Sequence, residues 1–250
     1  CYAKRAALSI ARAAVITGDI NASGSLDEQS RRQLEHVLAE CFREVQKEMS
    51  SAGIAGFTIF RGDTWQFVVG KPSLSFRAAL FYRALLLYRS EEKTGEKLQT
   101  SAATGFGDIR FMPDESSSAG SGEAYERSGK RFDLLRRRMP QMGAAGLGEL
   151  DGYLDSIIGL FDALAHQWNA LQARAVLLAL QGLPQSEIAA RWNPPVSQQA
   201  IFKHLRPAGW QAMEPALKRS DTAIMDCIQS NNLQRFWHGT GCDSPGAHMR

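Results

Sequence analysis

The chain has 250 residues, of which 44% are hydrophobic, and a formal net charge of +3 at pH 7. This length gives room for one large domain or two small ones, and the hydrophobic fraction is enough for a buried core. A balance this close to neutral excludes a general polyanion binder, so any contact with nucleic acid must be local. No apolar run approaches the ~18 residues that span a bilayer, and the four cysteines show no CxxC spacing. We therefore expect a reduced, cytoplasmic protein without structural zinc.

The first seventy residues predict a strand, a long helix and a β-hairpin. Residues 13–17 form a short apolar run that is typical of a strand. Apolar residues then recur at helical spacing over 26–50, which predicts an amphipathic helix. Residues 57–60 and 65–69 read as two strands joined by a turn with a glycine at its bend, which is the pattern of a hairpin.

The next elements complete a mixed α+β pattern. We predict a buried helix over 74–90, a strand over 98–107 and a third helix over 123–138, the last preceded by a turn-rich stretch. This order matches a ferredoxin-like, nucleotidyl cyclase-like palm, in which helices pack on one face of an antiparallel sheet.

Residues 138–148 contain a proline and several glycines and are the best candidate for a linker. Beyond them the apolar spacing indicates helices only. We therefore predict a palm domain over 10–145, an all-α domain with a helix-turn-helix over 146–228 and a flexible tail over 229–250.

Two aspartates occur in similar settings, Asp19 at the end of an apolar run and Asp63 at the tip of the hairpin. A strand-end carboxylate and a hairpin-tip carboxylate can converge on one divalent cation. Magnesium and manganese take oxygen ligands, commonly two carboxylates with phosphates and water. We predict a Mg²⁺ or Mn²⁺ site with Asp19, Ile20 and Asp63 as its metal-binding positions. Gly-Asp is also a common turn dipeptide, so an ordinary turn role stays open.

The loop that follows Asp19 is built of small residues and enters the long helix. Its backbone N–H groups and the positive end of the helix suit a triphosphate. The predicted nucleotide-binding residues are Asn21, Ala22, Ser23, Gly24 and Ser25.

With its strand-end Asp-Ile, its Gly-Asp hairpin and the spacing between them, the N-terminal half resembles the catalytic domain of class III nucleotidyl cyclases. The whole pattern is more similar to the SatD family of prokaryotic proteins. The matching segments are Ile-Thr-Gly-Asp-Ile at 16–20, Gly-Asp at 62–63, Gly-Glu-Ala-Tyr at 122–125 and a helix-turn-helix at 172–216. The resemblance covers 13–216 and implies a cyclase-like palm that forms a homodimer, but the family supplies no assigned activity.

The late helix departs from the pattern of active cyclases, which carry an Asn and an Arg four and eight positions after its first Gly. That Arg stabilises charge that develops on the transferring phosphate. Counting from Gly122, this chain has Glu126 and Lys130. Lys130 lacks the forked donors of arginine, and Arg127 is the other nearby cation. Lys130 and Arg127 are the candidate catalytic residues, and a solvated helix face is the competing interpretation.

The C-terminal part predicts a helix-turn-helix. A helix over 173–182 is closed by Gly182, a short helix covers 184–192, and a turn at 193–196 leads to a recognition helix over 197–206. Glutamine and serine can hydrogen-bond base edges, while lysine and arginine neutralise phosphates. We predict contact with duplex DNA through Ser197, Gln198, Gln199, Lys203 and Arg206. Such units also serve as protein docking modules.

These patterns leave three hypotheses about function. The first is a DNA-binding transcription regulator whose palm binds a nucleotide and a divalent metal, with occupancy changing the geometry of the dimer. The second is a divergent nucleotidyl cyclase or another nucleotidyl-transfer enzyme. The third is a degenerate palm that acts as a dimerisation scaffold. We favour the first, and whether the chain is an enzyme stays open.

Overall fold

The computed structural model describes residues 10–21, 28–60, 62–94, 97–112, 120–135 and 141–239. Over these ranges the chain forms one five-stranded sheet with helices around it. The strands are β1 (Ile10–Ile20), β2 (Ile54–Phe60), β3 (Thr64–Val69), β4 (Thr100–Ile109) and β5 (Met142–Ala145). The helices are α1 (Glu28–Glu48), α2 (Ser75–Thr94), α3 (Glu123–Leu135), α4 (Asp151–His166), α5 (Ala170–Leu180), α6 (Gln185–Ala190), α7 (Gln198–Leu205) and α8 (Trp210–Gly239). The mixed α+β class is as predicted.

The strand order is β2-β3-β1-β4-β5, with β1 at the centre. All pairs are antiparallel except β4 with β5, which is parallel. The short strand β5 lies inside the stretch 138–148 that the sequence pattern assigns to a linker. Met-Gly-Ala-Ala has no alternation of polar and apolar residues, so pairing with β4 rather than local pattern makes it a strand.

Helices cover both faces of the sheet. Ala14 and Ile16 of β1 belong to the core on the α1 and α2 side, whereas Ala13 and Val15 pack with Ala124 of α3. The prediction of helices on one face was therefore wrong. The physical reason is that β1 carries a continuous apolar run, which marks a strand buried on both faces rather than on one.

A single apolar core joins the sheet to the C-terminal helices. It contains Ile16 of β1, Leu85 of α2, Ile158 of α4, Val176 of α5 and Ile224 of α8, all fully buried. Helix α5 packs directly against α2. The division into domains at 10–145 and 146–228 stays a prediction.

Helix α8 continues to Gly239, through a stretch that the sequence pattern assigns to a flexible tail from residue 229. No proline or glycine occurs between Pro215 and Gly239, so nothing in the covalent chain breaks the helix. The rest of that tail, 240–250, lies outside the described residues. None of the helices in the described part of the chain combines the length and the apolar character needed to cross a membrane.

Candidate metal and nucleotide site

The two aspartates meet at one end of the central strands. Asp19 pairs with Thr64 in the register between β1 and β3, and Asp63 is the residue before Thr64. The Thr64 hydroxyl lies 3.1 Å from Asp19 Oδ1 and 3.4 Å from Asp63 Oδ1. Because one hydroxyl oxygen is within reach of both carboxylates, the two carboxylates lie well under a nanometre apart. The backbone supports this arrangement, since Ile20 N donates to Asp63 O at 3.3 Å.

The glycine before Asp19 is required by close packing. A Cβ atom at Gly18 would lie 2.2 Å from the Trp65 ring and 2.7 Å from Ser101 O. Trp65 Nε1 donates to Thr100 Oγ1 at 3.2 Å, and Thr100 Oγ1 donates to Asp19 O at 2.8 Å. The tryptophan ring and the threonine hydroxyl therefore fix the backbone that presents the first carboxylate.

The donor set fits a hard divalent cation. Asp19 and Asp63 are both half-buried and offer carboxylate oxygens, which Mg²⁺ and Mn²⁺ prefer. The Ile20 side chain is 2% exposed and belongs to the core, so this residue could serve a metal only through its backbone. Within the described ranges no group of three or more His, Cys, Asp or Glu side chains could hold a metal.

The predicted nucleotide loop lies only partly within the described residues. Ala22, Ser23, Gly24 and Ser25 fall outside them, and their role stays a prediction. Asn21 is described: its amide donates to Gln141 Oε1 at 2.8 Å and accepts from Ser101 Oγ at 2.7 Å.

Ser101 and Gln141 were missed as site residues. Ser101 is the β4 partner of Asp19 in the sheet, and Gln141 precedes β5, so only strand pairing could have found them.

The two candidate catalytic cations, Arg127 and Lys130, lie on α3 and do not contact the two aspartates. Arg127 donates to Phe106 O at 2.6 Å and pairs with Glu123 at 3.2 Å. Phe106 lies five residues beyond Ser101 on β4, which is about 17 Å along a strand. Lys130 is exposed on the side of α3 opposite its buried residues. Arg127 is therefore not brought to Asp19 within one chain, and Lys130 points to solvent.

Helices α5, α6 and α7 occupy the predicted helix-turn-helix region. Gly182 has the left-handed φ of +82° expected after a helix, and Ser197 caps α7 by accepting from Ala200 N at 3.2 Å. Ile201 and Leu205 are buried, and Ala200 is half-buried. The predicted DNA-contacting residues are all exposed: Ser197, Gln198, Gln199, Lys203 and Arg206. Exposure makes DNA contact possible, and the contact itself stays a prediction.

A stack of aromatic and cationic side chains holds α7 against α5. Trp192 and His204 lie 5.5 Å apart between ring centroids, with their planes 10° apart. The Arg174 guanidinium lies 4.3 Å from the Trp192 centroid and 5.7 Å from that of Tyr88 on α2. These residues are distant in sequence, so no local pattern predicts the stack.

The fold and the site together define an α+β protein with paired carboxylates at one end of its central strands. The solved structures to which part of this chain is similar include nucleotidyl cyclases. A bacterial light-regulated adenylyl cyclase has 14% identity and a TM-score of 0.40, over 54% of this chain and 43% of that chain. The chain thus spans less than half of that cyclase.

Two guanylyl cyclases give similar values. Guanylyl cyclase Cya2 has 13% identity and a TM-score of 0.36, over 49% of this chain and 69% of that chain. The non-canonical dimeric guanylyl cyclase domain of the RhoGC fusion protein from the aquatic fungus Blastocladiella emersonii has 12% identity and a TM-score of 0.37, over 49% of this chain and 73% of that chain. No protein-family model and no curated protein matches the chain.

Proposed function

We propose that the end of the sheet formed by Asp19 and Asp63 binds a divalent cation together with the phosphates of a nucleotide. The observation that carries the proposal is the shared Thr64 hydroxyl, which lies within 3.4 Å of both carboxylates. Two half-buried carboxylates this close repel each other, and a divalent cation between them relieves the repulsion. When bound, Mg²⁺ or Mn²⁺ would neutralise phosphate charge and orient the phosphoryl groups.

The remaining parts of this proposal come from the sequence pattern. Asn21 begins the small-residue loop that leads to α1, and we place the phosphates against that loop. We also propose that the chain is a member of the SatD family with a cyclase-like palm and that it forms a homodimer. In a homodimer, Lys130 of one protomer is free to approach the site of its partner, because it is exposed.

A thermal-shift measurement tests metal and nucleotide binding. We expect wild-type protein with excess manganese and a nucleoside triphosphate at a hundred times its Kd to gain ~2.7 kcal/mol of stability. Asp63→Asn should lose this gain because it removes a metal ligand while keeping the side-chain shape. Asp226→Asn, which changes an exposed aspartate on α8, is the matched control and should keep it. A wild type unmoved by ATP, GTP, CTP and UTP with either metal would sink the proposal.

Product analysis separates binding from turnover. Incubation with each triphosphate and manganese, followed by chromatography, identifies any cyclic nucleotide or pyrophosphate. Turnover that disappears in Asp63→Asn and falls in Lys130→Ala supports the divergent cyclase. Binding without turnover supports a nucleotide-sensing regulator. If the protein shows no binding and no turnover, the interpretation that remains is a palm that acts as a dimerisation scaffold.

Binding of duplex DNA is a second candidate function, favoured by the exposed polar side of α7. The helix is capped, Ile201 and Leu205 are buried, and Lys203 and Arg206 face solvent. If these cations contact phosphates, Lys203→Ala with Arg206→Ala should weaken binding and lower the salt slope by about 2. Lys218→Ala with Arg219→Ala removes two exposed cations from α8 and is the control. Fluorescence anisotropy at two salt concentrations measures the affinity for DNA and its salt dependence. An equal loss of affinity in the two double variants would contradict contact through α7.

A further inference from the structure

A buried ion pair is joined by hydrogen bonds to the segments that flank the paired carboxylates. Arg83 of α2 and Asp162 of α4 are each 1% exposed and meet at 2.5 Å. Burial lowers the pKa of Arg83, and the nearby Asp162 opposes that shift. The Arg83 Nε atom is buried without a hydrogen-bond partner among the described residues. Buried pairs of this kind are poor stabilisers compared with apolar side chains, so what the pair holds in place matters more than the pair itself.

The pair fixes two short segments that flank the site. Arg83 donates to Gln99 Oε1 and to Thr100 O, each at 3.0 Å. Asp162 Oδ2 accepts from Gln141 N at 2.7 Å. The start of β4 and the residue before β5 are therefore both anchored to one buried charge pair.

The same segments hold the residues of the site. Asn21 N donates to Gln99 O at 2.8 Å, and its side-chain amide donates to Gln141 Oε1 at 2.8 Å. Thr100 Oγ1 donates to the carbonyl of Asp19, also at 2.8 Å. Each link is a directional hydrogen bond, which fixes position in a way that apolar packing does not.

We infer that Arg83 and Asp162 are positioning residues for the metal and nucleotide site, acting through Gln99, Thr100 and Gln141 on Asp19 and Asn21. This inference rests on the proposed function, because a positioning role requires that the site bind metal and nucleotide. Since Asp162 belongs to α4, the pair also ties Asn21 to the helical half of the chain.

The test compares two arginines of the same helix. Arg83→Lys keeps the charge but loses the fork that reaches Asp162 and Gln99 together. Arg77→Lys is the matched control, because Arg77 is 15% exposed and pairs with Asp221 of α8 at 2.6 Å, away from Asn21. Gln141→Ala is a second variant that cuts the chain of bonds without removing a buried charge.

Hydrogen exchange of the metal-free protein gives the first measurement. In Arg83→Lys the amide of Asn21 should exchange at least tenfold faster than in wild type, because its acceptor Gln99 loses its anchor. In Arg77→Lys it should stay within twofold. Equal acceleration in both variants, or none in Arg83→Lys, would overturn the inference, and this result does not depend on any ligand.

Calorimetric titration with manganese and ATP gives the second measurement. Kd should rise about tenfold in Arg83→Lys and in Gln141→Ala, with the double variant no weaker than the worse single one. The two effects should not add, because both break one chain of bonds. Losses of affinity that add fully in the double variant, or wild-type affinity in Arg83→Lys, would contradict a positioning role for Arg83. A wild type that binds nothing removes the proposed function, while hydrogen exchange still judges whether the pair holds Asn21.

Discussion

Tyr125 shows how burial of one side chain makes stability depend on pH. It lies on α3 in a small apolar cluster with Val15 and Val68 and is 7% exposed. Burial raises the pKa of its hydroxyl to about 12. Between pH 10 and 12 the unfolded chain loses this proton and the folded chain keeps it. Folding therefore loses stability as pH rises, by about 1.4 kcal/mol per pH unit for this group.

Tyr125→Phe should remove that part of the pH dependence. Its free energy of unfolding should fall less than that of wild type between pH 9 and pH 11.5, as measured by urea denaturation. At pH 7 the variant should be at least as stable as wild type, since the buried hydroxyl has no hydrogen-bond partner among the described residues. Parallel curves for the two proteins would show that Tyr125 ionises normally.

The seating of α3 on β4 depends on a glycine at the contact. A Cβ atom at Gly105 would lie 2.2 Å from Ser128 N and 2.3 Å from Ala124 O. Both atoms are backbone, so the whole helix would have to move. We expect Gly105→Ala to destabilise the protein by about 1–3 kcal/mol. Gly129 lies on α3, and a Cβ atom there would meet nothing within 4 Å. Gly129→Ala should therefore raise the free energy of unfolding by about 0.5–1 kcal/mol. Thermal unfolding of both variants checks the prediction, and a loss in both would contradict it.

Among the described residues, one large apolar core runs from β1 to α8 and joins the sheet to the C-terminal helices, beside two smaller clusters. A shared core predicts a single cooperative unfolding transition, with far-UV circular dichroism and tryptophan fluorescence changing together. Asp162→Asn should lower the midpoint without splitting the transition, at a cost of about 3–5 kcal/mol, because it leaves the Arg83 charge buried and unpaired. Two separated transitions would instead support independent domains at 10–145 and 146–228.

Local patterns in the sequence were enough for several features. Helical spacing of apolar residues located α1 and the three helices α5, α6 and α7, and turn chemistry located the hairpin that carries Asp63. The exposed set on α7 followed from the same spacing. In each case the signal lies within a few residues of the chain, where propensity and capping act.

Other features depended on pairing between distant segments. Strand β5 lacks a strand pattern of its own, and α3 covers a face that the sequence pattern left open. Gln141 and Ser101 join Asn21 only because β5 and β1 lie on either side of β4. The Arg83–Asp162 pair joins two helices that a single sequence gives no reason to place together.

The sequence by itself determined the mixed α+β class, one aspartate at a strand end and one at a hairpin tip, and the helix α7, because each is encoded by neighbouring residues. Only the tertiary structure decided that the two carboxylates share one hydroxyl, that their backbone is anchored to a buried ion pair and that one core serves both halves. Those features arise from strand register and helix packing, which depend on contacts between residues far apart along the chain.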